Sequence, residues 1–282
     1  MQSVNELIDR LIDLSFAEDI GDGDHTTLCC IPEDAMGKSH LLIKEDGILA
    51  GVEIAKEVFA RFDPTMVVEV LINDGAKVHR GDIAMVVTGK VRSLLQTERL
   101  MLNIMQRMSG IATMTHRYVE RIEGTGAHVL DTRKTTPGMR MLEKMAVKIG
   151  GGVNHRIGLF DMILLKDNHI DFAGGISNAI NRCHAYLKER NLDLKIEIEV
   201  RNFDELNQVL ECGGVNRIML DNFTVAATKK AVDLINHRYE VESSGNITLD
   251  TIRSYAEQGV DYVSVGALTH SVKGLDMSFK AC

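Results

Sequence analysis

Residues 131–170 carry seven basic side chains against four acidic ones, in a chain of 282 residues whose formal charge is -8. The basic residues are Arg133, Lys134, Arg140, Lys144, Lys148, Arg156 and Lys166; the acids are Asp131, Glu143, Asp161 and Asp167. The charges gather where short apolar runs stop. HVLD ends at Asp131 and leads into Arg133 and Lys134. MILLKD leads into Lys166, Asp167, Asn168 and His169, and a GGGVNHR loop between the two adds His155 and Arg156. Cations clustered at strand ends, against the sign of the whole chain, point to a pocket for a polyanionic small molecule. Arg133, Arg156 and Arg99 are candidate forks for a planar carboxylate, which arginine holds at two points and lysine cannot. An isolated helical arginine such as Arg99 is more often a surface residue paired with a neighbour such as Glu98. His155 and His169 are of a type that binds anions or moves protons.

Carboxylates and glycine turns complete the set. Glu199 and Asp221 end the successive runs IEIEV and RIMLD. There they either share a Mg²⁺, which prefers oxygen ligands and substrate phosphates, or pair with Lys166 or Arg133 as structural ions. In IEIEV, Glu197 and Glu199 alternate with isoleucines, so both acids face one side of a strand. YEVES runs into Ser244, Gly245 and Asn246, and YVSVG runs into Gly266 and then His270. Two such loops at the ends of the last strands of a barrel are a common phosphate cradle. Ordinary glycine turns with a serine cap are the competing reading.

These residues need strands to aim them. After residue 125 the chain alternates strand and helix, with strands expected at 128–131, 162–166, 195–200, 217–221, 239–243 and 261–265. Helices fill the gaps, at 138–149, 174–189, 203–211, 224–236 and 248–258. Repeating units of this kind predict a parallel sheet. A doubly wound sheet fits the rhythm, but polar side chains end nearly every strand, as barrel enzymes require, so an α/β barrel is preferred, with six clear strands and not the usual eight. Before residue 110 the pattern is mixed. A helix is expected over 4–17, a polar turn DIGDGDHTT follows, and strands are expected at 38–45, 47–52, 66–72 and 84–89 with a helix near 53–61. The stretch 92–121 reads as a long helix broken or kinked at Ser109-Gly110. Met101, Met105, Met108 and Met114 on it read as core or interface filling.

The hydrophobic fraction of 45% and charged fraction of 26% are those of a globular protein with a full core. The net charge and a pI near 5.7 argue against nucleic-acid binding. The apolar runs are too short for a membrane span. The opening MQSVNELIDRLIDLSF lacks a basic start and an unbroken apolar run, so no secretory signal is expected in it. Five cysteines without C-x-x-C spacing predict reduced thiols in a cytoplasmic protein. The sequence holds no Walker A loop, no dinucleotide fingerprint and no nucleophile elbow. The DGAKVHRGD stretch lacks the displayed lysine of a biotinyl or lipoyl carrier.

The motifs that carry these residues resemble the quinolinate phosphoribosyltransferases. They are AEDIGDGDHTT (17–27), ERLMLNIMQRMSGIAT (98–113), DTRKTTPG (131–138), GGGVNHRIGLFDMILLKDNHI (150–170), IEIEV (196–200), LDNF (220–223), ESSGNIT (242–248) and SVGALTHS (264–271). The resemblance implies a type II phosphoribosyltransferase fold: an N-terminal α/β sandwich over 1–110 and an open, incomplete barrel of six to seven strands over 111–270. The tail 271–282 is then expected to pack back on the first domain. It implies conversion of quinolinate and phosphoribosyl pyrophosphate to nicotinate mononucleotide, pyrophosphate and CO₂ in de novo NAD biosynthesis, with Mg²⁺ on Glu199 and Asp221. Arg133, His155 and Arg156 would then grip the quinolinate carboxylates, with Arg99 reaching in from the neighbouring subunit of a homodimer, or of a hexamer built from such dimers. Lys134 and Lys166 would contact phosphoribosyl pyrophosphate, Asp167 and His169 would line the pocket, and Ser244, Gly245, Gly266 and His270 would hold the 5′-phosphate. Many relatives carry a second glycine where this chain has Asn246, a residue that tolerates left-handed backbone. The alternatives are a paralogue acting on another aromatic acid and a non-catalytic anion-binding protein.

Overall fold

The computed structural model describes residues 3–282. In chain order the elements open with α1 (Val4–Ile20), α2 (His25–Cys30), β1 (Met36–Ile43), β2 (Gly47–Ile48), α3 (Val52–Phe62), β3 (Val67–Val70), β4 (Lys77–Val78), β5 (Ile83–Lys90) and α4 (Val91–Arg121). There follow β6 (His128–Leu130), α5 (Arg140–Ile149), β7 (Ile163–Leu165), α6 (Asp167–Ala173), α7 (Ile176–Arg190), β8 (Ile196–Val200), α8 (Phe203–Cys212) and β9 (Arg217–Asp221). The chain closes with α9 (Val225–Ile235), β10 (Glu240–Ser244), α10 (Ile252–Ala256), β11 (Tyr262–Ser264), α11 (Ala267–His270) and β12 (Met277–Ala281). Two compact units result. The first comprises Met1–His116, Thr135–Gly151 and Leu268–Cys282, and the second Arg117–Lys134 and Gly152–Ala267. The sequence boundary at residue 110 lies inside α4.

In the first unit a four-stranded antiparallel sheet runs in the order β12-β1-β5-β3. β1 alternates inward Leu41 and Ile43 with half-exposed neighbours, and β5 buries Met85 and Val87 on either side of half-exposed Val86, the period-two pattern of a sheet covered on one face. Phe59 of α3 is fully buried and stacks on Phe279 of β12, with ring centroids 6.0 Å apart. Met101, Met105 and Met108 of α4 are buried as well, filling the core.

Helix α4 corrects one expectation. It runs unbroken through Ser109 and Gly110. The Ser109 hydroxyl accepts from the amide of Ala50 and donates to its carbonyl, so the serine is spent on the neighbouring loop instead of breaking its own helix. The DIGDGDHTT turn also differs. Asp24 caps a helix at His25, its carboxylate accepting the amide of Thr27 at 3.0 Å.

The second unit is built on a six-stranded parallel sheet in the order β6-β11-β10-β9-β8-β7. β6 and β7 form its two edges, so the barrel is open. Strands such as β7 (ILL) were legible as apolar runs because both faces of the sheet are covered, whereas β8 (IEIEV) is buried throughout and carries Glu197 and Glu199 within it. The seventh strand that the resemblance implies is reduced among the described residues to one parallel bridge, Val153 beside Leu130. No described helix is long and apolar enough to cross a membrane.

Candidate functional site

Because every strand of the second unit runs the same way, their C-terminal ends form one rim. The registers place Leu165 beside Ile198, Val200 beside Leu220, Asp221 beside Ser244, Ser243 beside Val263, and Ser264 beside Leu130. Lys166, Glu199, Asp221, Ser244, Gly266 and Asp131 therefore stand at or just past the ends of successive strands. Ligand sites of barrel enzymes lie at this end of the strands.

At one side of the rim lies a carboxylate–lysine group. The Lys166 ammonium donates to Glu199 Oε2 at 3.2 Å. Burial raises the Glu199 carboxyl above its ordinary range, Lys166 pulls it down, and the neighbouring charges of Asp221 and Asp167 push it up again. Both acids are thus close enough to act on Glu199 as like charges. Helix α6, which sequence reasoning read only as a charged cluster, starts directly after β7. It fixes Asp167 and His169, the latter's Nδ1 accepting the amide of Lys166 at 3.0 Å.

The loop before β7 brings the arginines together. Burial lowers the Arg156 guanidinium from its ordinary value, and the like charge of Arg133 lowers it further. Arg156 also donates to the carbonyl of Met162 at 3.2 Å. Arg133 and Lys134 are exposed. Asp131, fully buried, accepts the amide of His155 at 2.8 Å and so anchors the whole loop to the end of β6. The His155 ring is buried, with Nδ1 accepting the Arg156 amide at 2.7 Å and Nε2 turned toward Glu197 at 3.0 Å and Glu242 at 3.5 Å. Glu242 was missed from the sequence, where YEVES reads as an ordinary strand. His155, Glu197 and Glu242 are also a set of metal-ligand types. Arg217 lies 3.3 Å from Glu242, however, and its cation already compensates the acids and would repel a second one.

The turns after β9 and β10 have left-handed backbone at Asn222 (φ 54) and at Gly245 (φ 100) and Asn246 (φ 51), respectively. A Cβ on Gly245 would lie 2.9 Å from the Asn222 backbone nitrogen, so only glycine fits there. Asn246 donates to Asn222 Oδ1 at 3.1 Å, and Asn222 donates to Asp221 Oδ2 at 2.8 Å, tying this loop to the carboxylate of β9. Asn246→Gly is expected to change stability by less than about 1 kcal/mol, whereas Asn246→Val is expected to lose about 2 kcal/mol because a β-branched residue resists positive φ. Urea melts of the two variants decide it; a Val variant as stable as the parent would refute the strained turn.

Arg99 and His270 belong to the first unit. Arg99 lines a cavity of about 420 Å³ with Leu11, Ser15, Glu18, Asp19 and Arg107 among its walls. The ring of His270 contacts the Ser271 hydroxyl at 2.6 Å.

The family model described as the quinolinate phosphoribosyl transferase C-terminal domain matches residues 111–280, and its N-terminal counterpart matches 24–109. The decarboxylating quinolinate phosphoribosyltransferase 1b of Nicotiana tabacum is 48% identical over 96% of this chain and 81% of its own length. A probable carboxylating nicotinate-nucleotide pyrophosphorylase of Bacillus subtilis is 39% identical over 95% of this chain and 91% of its own. The solved nicotinate-nucleotide pyrophosphorylase of Francisella tularensis superposes with a TM-score of 0.92 at 38% identity, covering 100% of both chains.

Proposed function

The chain belongs to the quinolinate phosphoribosyltransferase family, and we propose that it performs that family's reaction with the residues gathered at the rim of the second unit. It transfers phosphoribosyl from phosphoribosyl pyrophosphate to quinolinate and releases pyrophosphate and CO₂, leaving nicotinate mononucleotide. The observation that carries the assignment of roles is the division of the rim into two chemistries: two arginines, Arg133 and Arg156, brought near each other from the loops on either side of α5, and a desolvated carboxylate with its lysine on the neighbouring strands.

In this reading Arg133 and Arg156 hold the substrate's two carboxylates and point its ring nitrogen at C1 of the ribose. The like charges of Arg133 and Arg156 are offset when a dianion lies between them. As the bond to pyrophosphate stretches, positive charge grows on the ribose, and the Glu199 and Asp221 carboxylates stabilise it. Lys166 and Lys134 offset the negative charge of the departing pyrophosphate. The ring nitrogen, now quaternary, withdraws the electron pair left on the adjacent carbon when the carboxylate leaves as CO₂, so no organic cofactor is required. The backbone of the Gly245–Asn246 turn, with Ser244 and Gly266, binds the 5′-phosphate. Oxygen donors at Glu199 and Asp221, the latter acting on Glu199 as a like charge, suit Mg²⁺, and these two residues would hold it; bound there, it would neutralise phosphate charge.

We further place the protein in the cytoplasm, as its five free thiols fit a reducing compartment. The proposed assembly is a homodimer in which Arg99 serves the neighbouring copy, or a hexamer of such dimers; light scattering separates the two.

The test is incubation with quinolinate, phosphoribosyl pyrophosphate and Mg²⁺, with mass detection of nicotinate mononucleotide. Product must vanish without metal and must not form from nicotinate. Folded protein that yields none refutes the reading. Arg133→Ala is expected to raise the KM for quinolinate by about 30-fold, the worth of a charge-assisted hydrogen bond, and that for phosphoribosyl pyrophosphate by less than about threefold. Equal losses for both substrates would remove Arg133 from the carboxylate site.

A further inference from the structure

Below the rim of the second unit lies a buried charged cluster that the proposed reaction leaves unused. Glu242 of β10 and Glu197 of β8 are both fully buried. Arg217 of β9 stands 3.3 Å from Glu242 and 3.0 Å from Glu240, with its guanidinium 3.9 Å over the ring of Tyr262. His155 closes the cluster from above. Its Nδ1 accepts an amide proton, so the ring carries its own proton on Nε2, the nitrogen that faces the two acids. The amide that Nδ1 accepts belongs to Arg156. A continuous path of contacts therefore runs from Glu242 through the imidazole to the backbone of an arginine assigned to the substrate's carboxylates.

We infer that Glu242 is a positioning residue for acid recognition, setting through His155 the charge and placement of the arm that carries Arg156. The inference rests on the reaction proposed above.

The charge of Glu242 is the lever. It is faced by Glu197 from β8, by Arg217 from β9, by His155 from the loop before β7 and by the Ser264 hydroxyl from β11; Glu240 and Arg156 act on the cluster from its edges. Burial, and after it the charge of Glu197, push the Glu242 carboxyl up to about 8. At neutral pH the group is therefore largely uncharged and matches the shared arrangement of His155, Glu197 and Arg217. Once the pH passes that value it becomes an anion. Arg217, already paired with Glu240, offsets only part of the new charge. A negative charge then lies beneath an arm that must bind a dianion, so binding of the dicarboxylate weakens as pH rises through about 8. A glutamine at 242 keeps the shape and never gains the charge.

Two measurements test this on the 282-residue chain. In steady state, the wild-type KM for quinolinate is expected to rise about tenfold between pH 7 and roughly pH 9.5, while kcat and the KM for phosphoribosyl pyrophosphate change less than about threefold. E242Q is expected to show a quinolinate KM that is flat across this range. An E242Q profile that follows the wild type overturns the inference. The second measurement needs neither turnover nor a variant. In wild-type protein labelled with ¹³C at glutamate carboxyls and ¹⁵N at histidine rings, one carboxyl resonance and the His155 ring nitrogens are expected to shift together near pH 8, with Nδ1 unprotonated. Independent titration of the two, or a protonated Nδ1, overturns it even where quinolinate is turned over. Protein that makes no product yet shows the joint shift refutes the reaction and leaves the coupling standing.

Discussion

Glu199→Gln is expected to lower kcat by about a thousandfold. The substitution keeps the size and planarity of the side chain and removes one negative charge. That charge sits 3.2 Å from the Lys166 ammonium and is desolvated, in company with Asp221 and Asp167. Charge stabilisation aimed at a developing transition state in a dry site is worth about 3 to 4 kcal/mol per group, or two to three powers of ten. The KM for quinolinate is expected to move less than about threefold, since the substrate's carboxylates are assigned to Arg133 and Arg156 and not to Glu199. Stability is expected to be unchanged or slightly higher, because burial already disfavours the ionised form of this carboxyl. The sign is fixed by that raised value: the desolvated carboxyl is harder to ionise in the fold than in the unfolded chain, so any gain from glutamine appears only above the unfolded value and disappears in acid. A kcat within threefold of the parent would remove Glu199 from the reacting centre. A lost kcat together with a collapsed thermal transition would make it a structural residue.

Gly110→Ala is expected to destabilise the protein by about 3 kcal/mol, although it lies in the middle of a 31-residue helix. Helix propensity alone predicts the opposite, a gain of about 1 kcal/mol. Geometry decides which effect wins. A Cβ at position 110 would lie 2.2 Å from the carbonyl oxygen of Lys273 and 3.1 Å from Cα of Gly274. These are backbone atoms, and the segment that carries them cannot retreat cheaply. The Leu275 amide donates to the carbonyl of Gln106 at 2.9 Å, the Gln106 side chain donates to the carbonyl of Met277 at 3.1 Å, and β12 is laced to β1 from Met277 to Ala281. Urea denaturation of the variant measures the loss; a midpoint at or above the parent's would mean that the tail does not press on α4. In the sequence Gly110 looked like a helix breaker. In the fold it is the place where a helix admits another chain segment to its surface.

The contrast between Gly110 and Asp221 shows how far single-sequence reading extends. The run RIMLD was legible as a strand to the residue, because a parallel strand covered on both faces has an apolar centre, here Ile218, Met219 and Leu220. Its terminal acid followed from the same logic, since apolarity stops where the strand reaches solvent or ligand. Helix α2 was read as part of a polar turn and α6 only as a charged cluster because each is short, at six and seven residues, too few to show an apolar stripe. The Asp24 cap was the local signal for α2. Glu242 was invisible for another reason. Nothing beside it in YEVES marks it as more than an inward strand position, and its partners His155, Glu197 and Arg217 come from three other segments.

By itself, then, the sequence determined the parallel α/β architecture, the rim residues Lys166, Glu199, Asp221 and Ser244, and the sign of the ligand charge. All of these follow from local alternation, from strand ends and from the kinds of side chain placed there. The tertiary structure alone decided what depends on segments far apart in the chain: the close approach of the tail at Gly110, the left-handed turns that tie Asn246 to Asn222, and the buried acids under His155. Such contacts are specified by the complementary shapes and charges of surfaces that meet only on folding, and no periodicity along the chain records them.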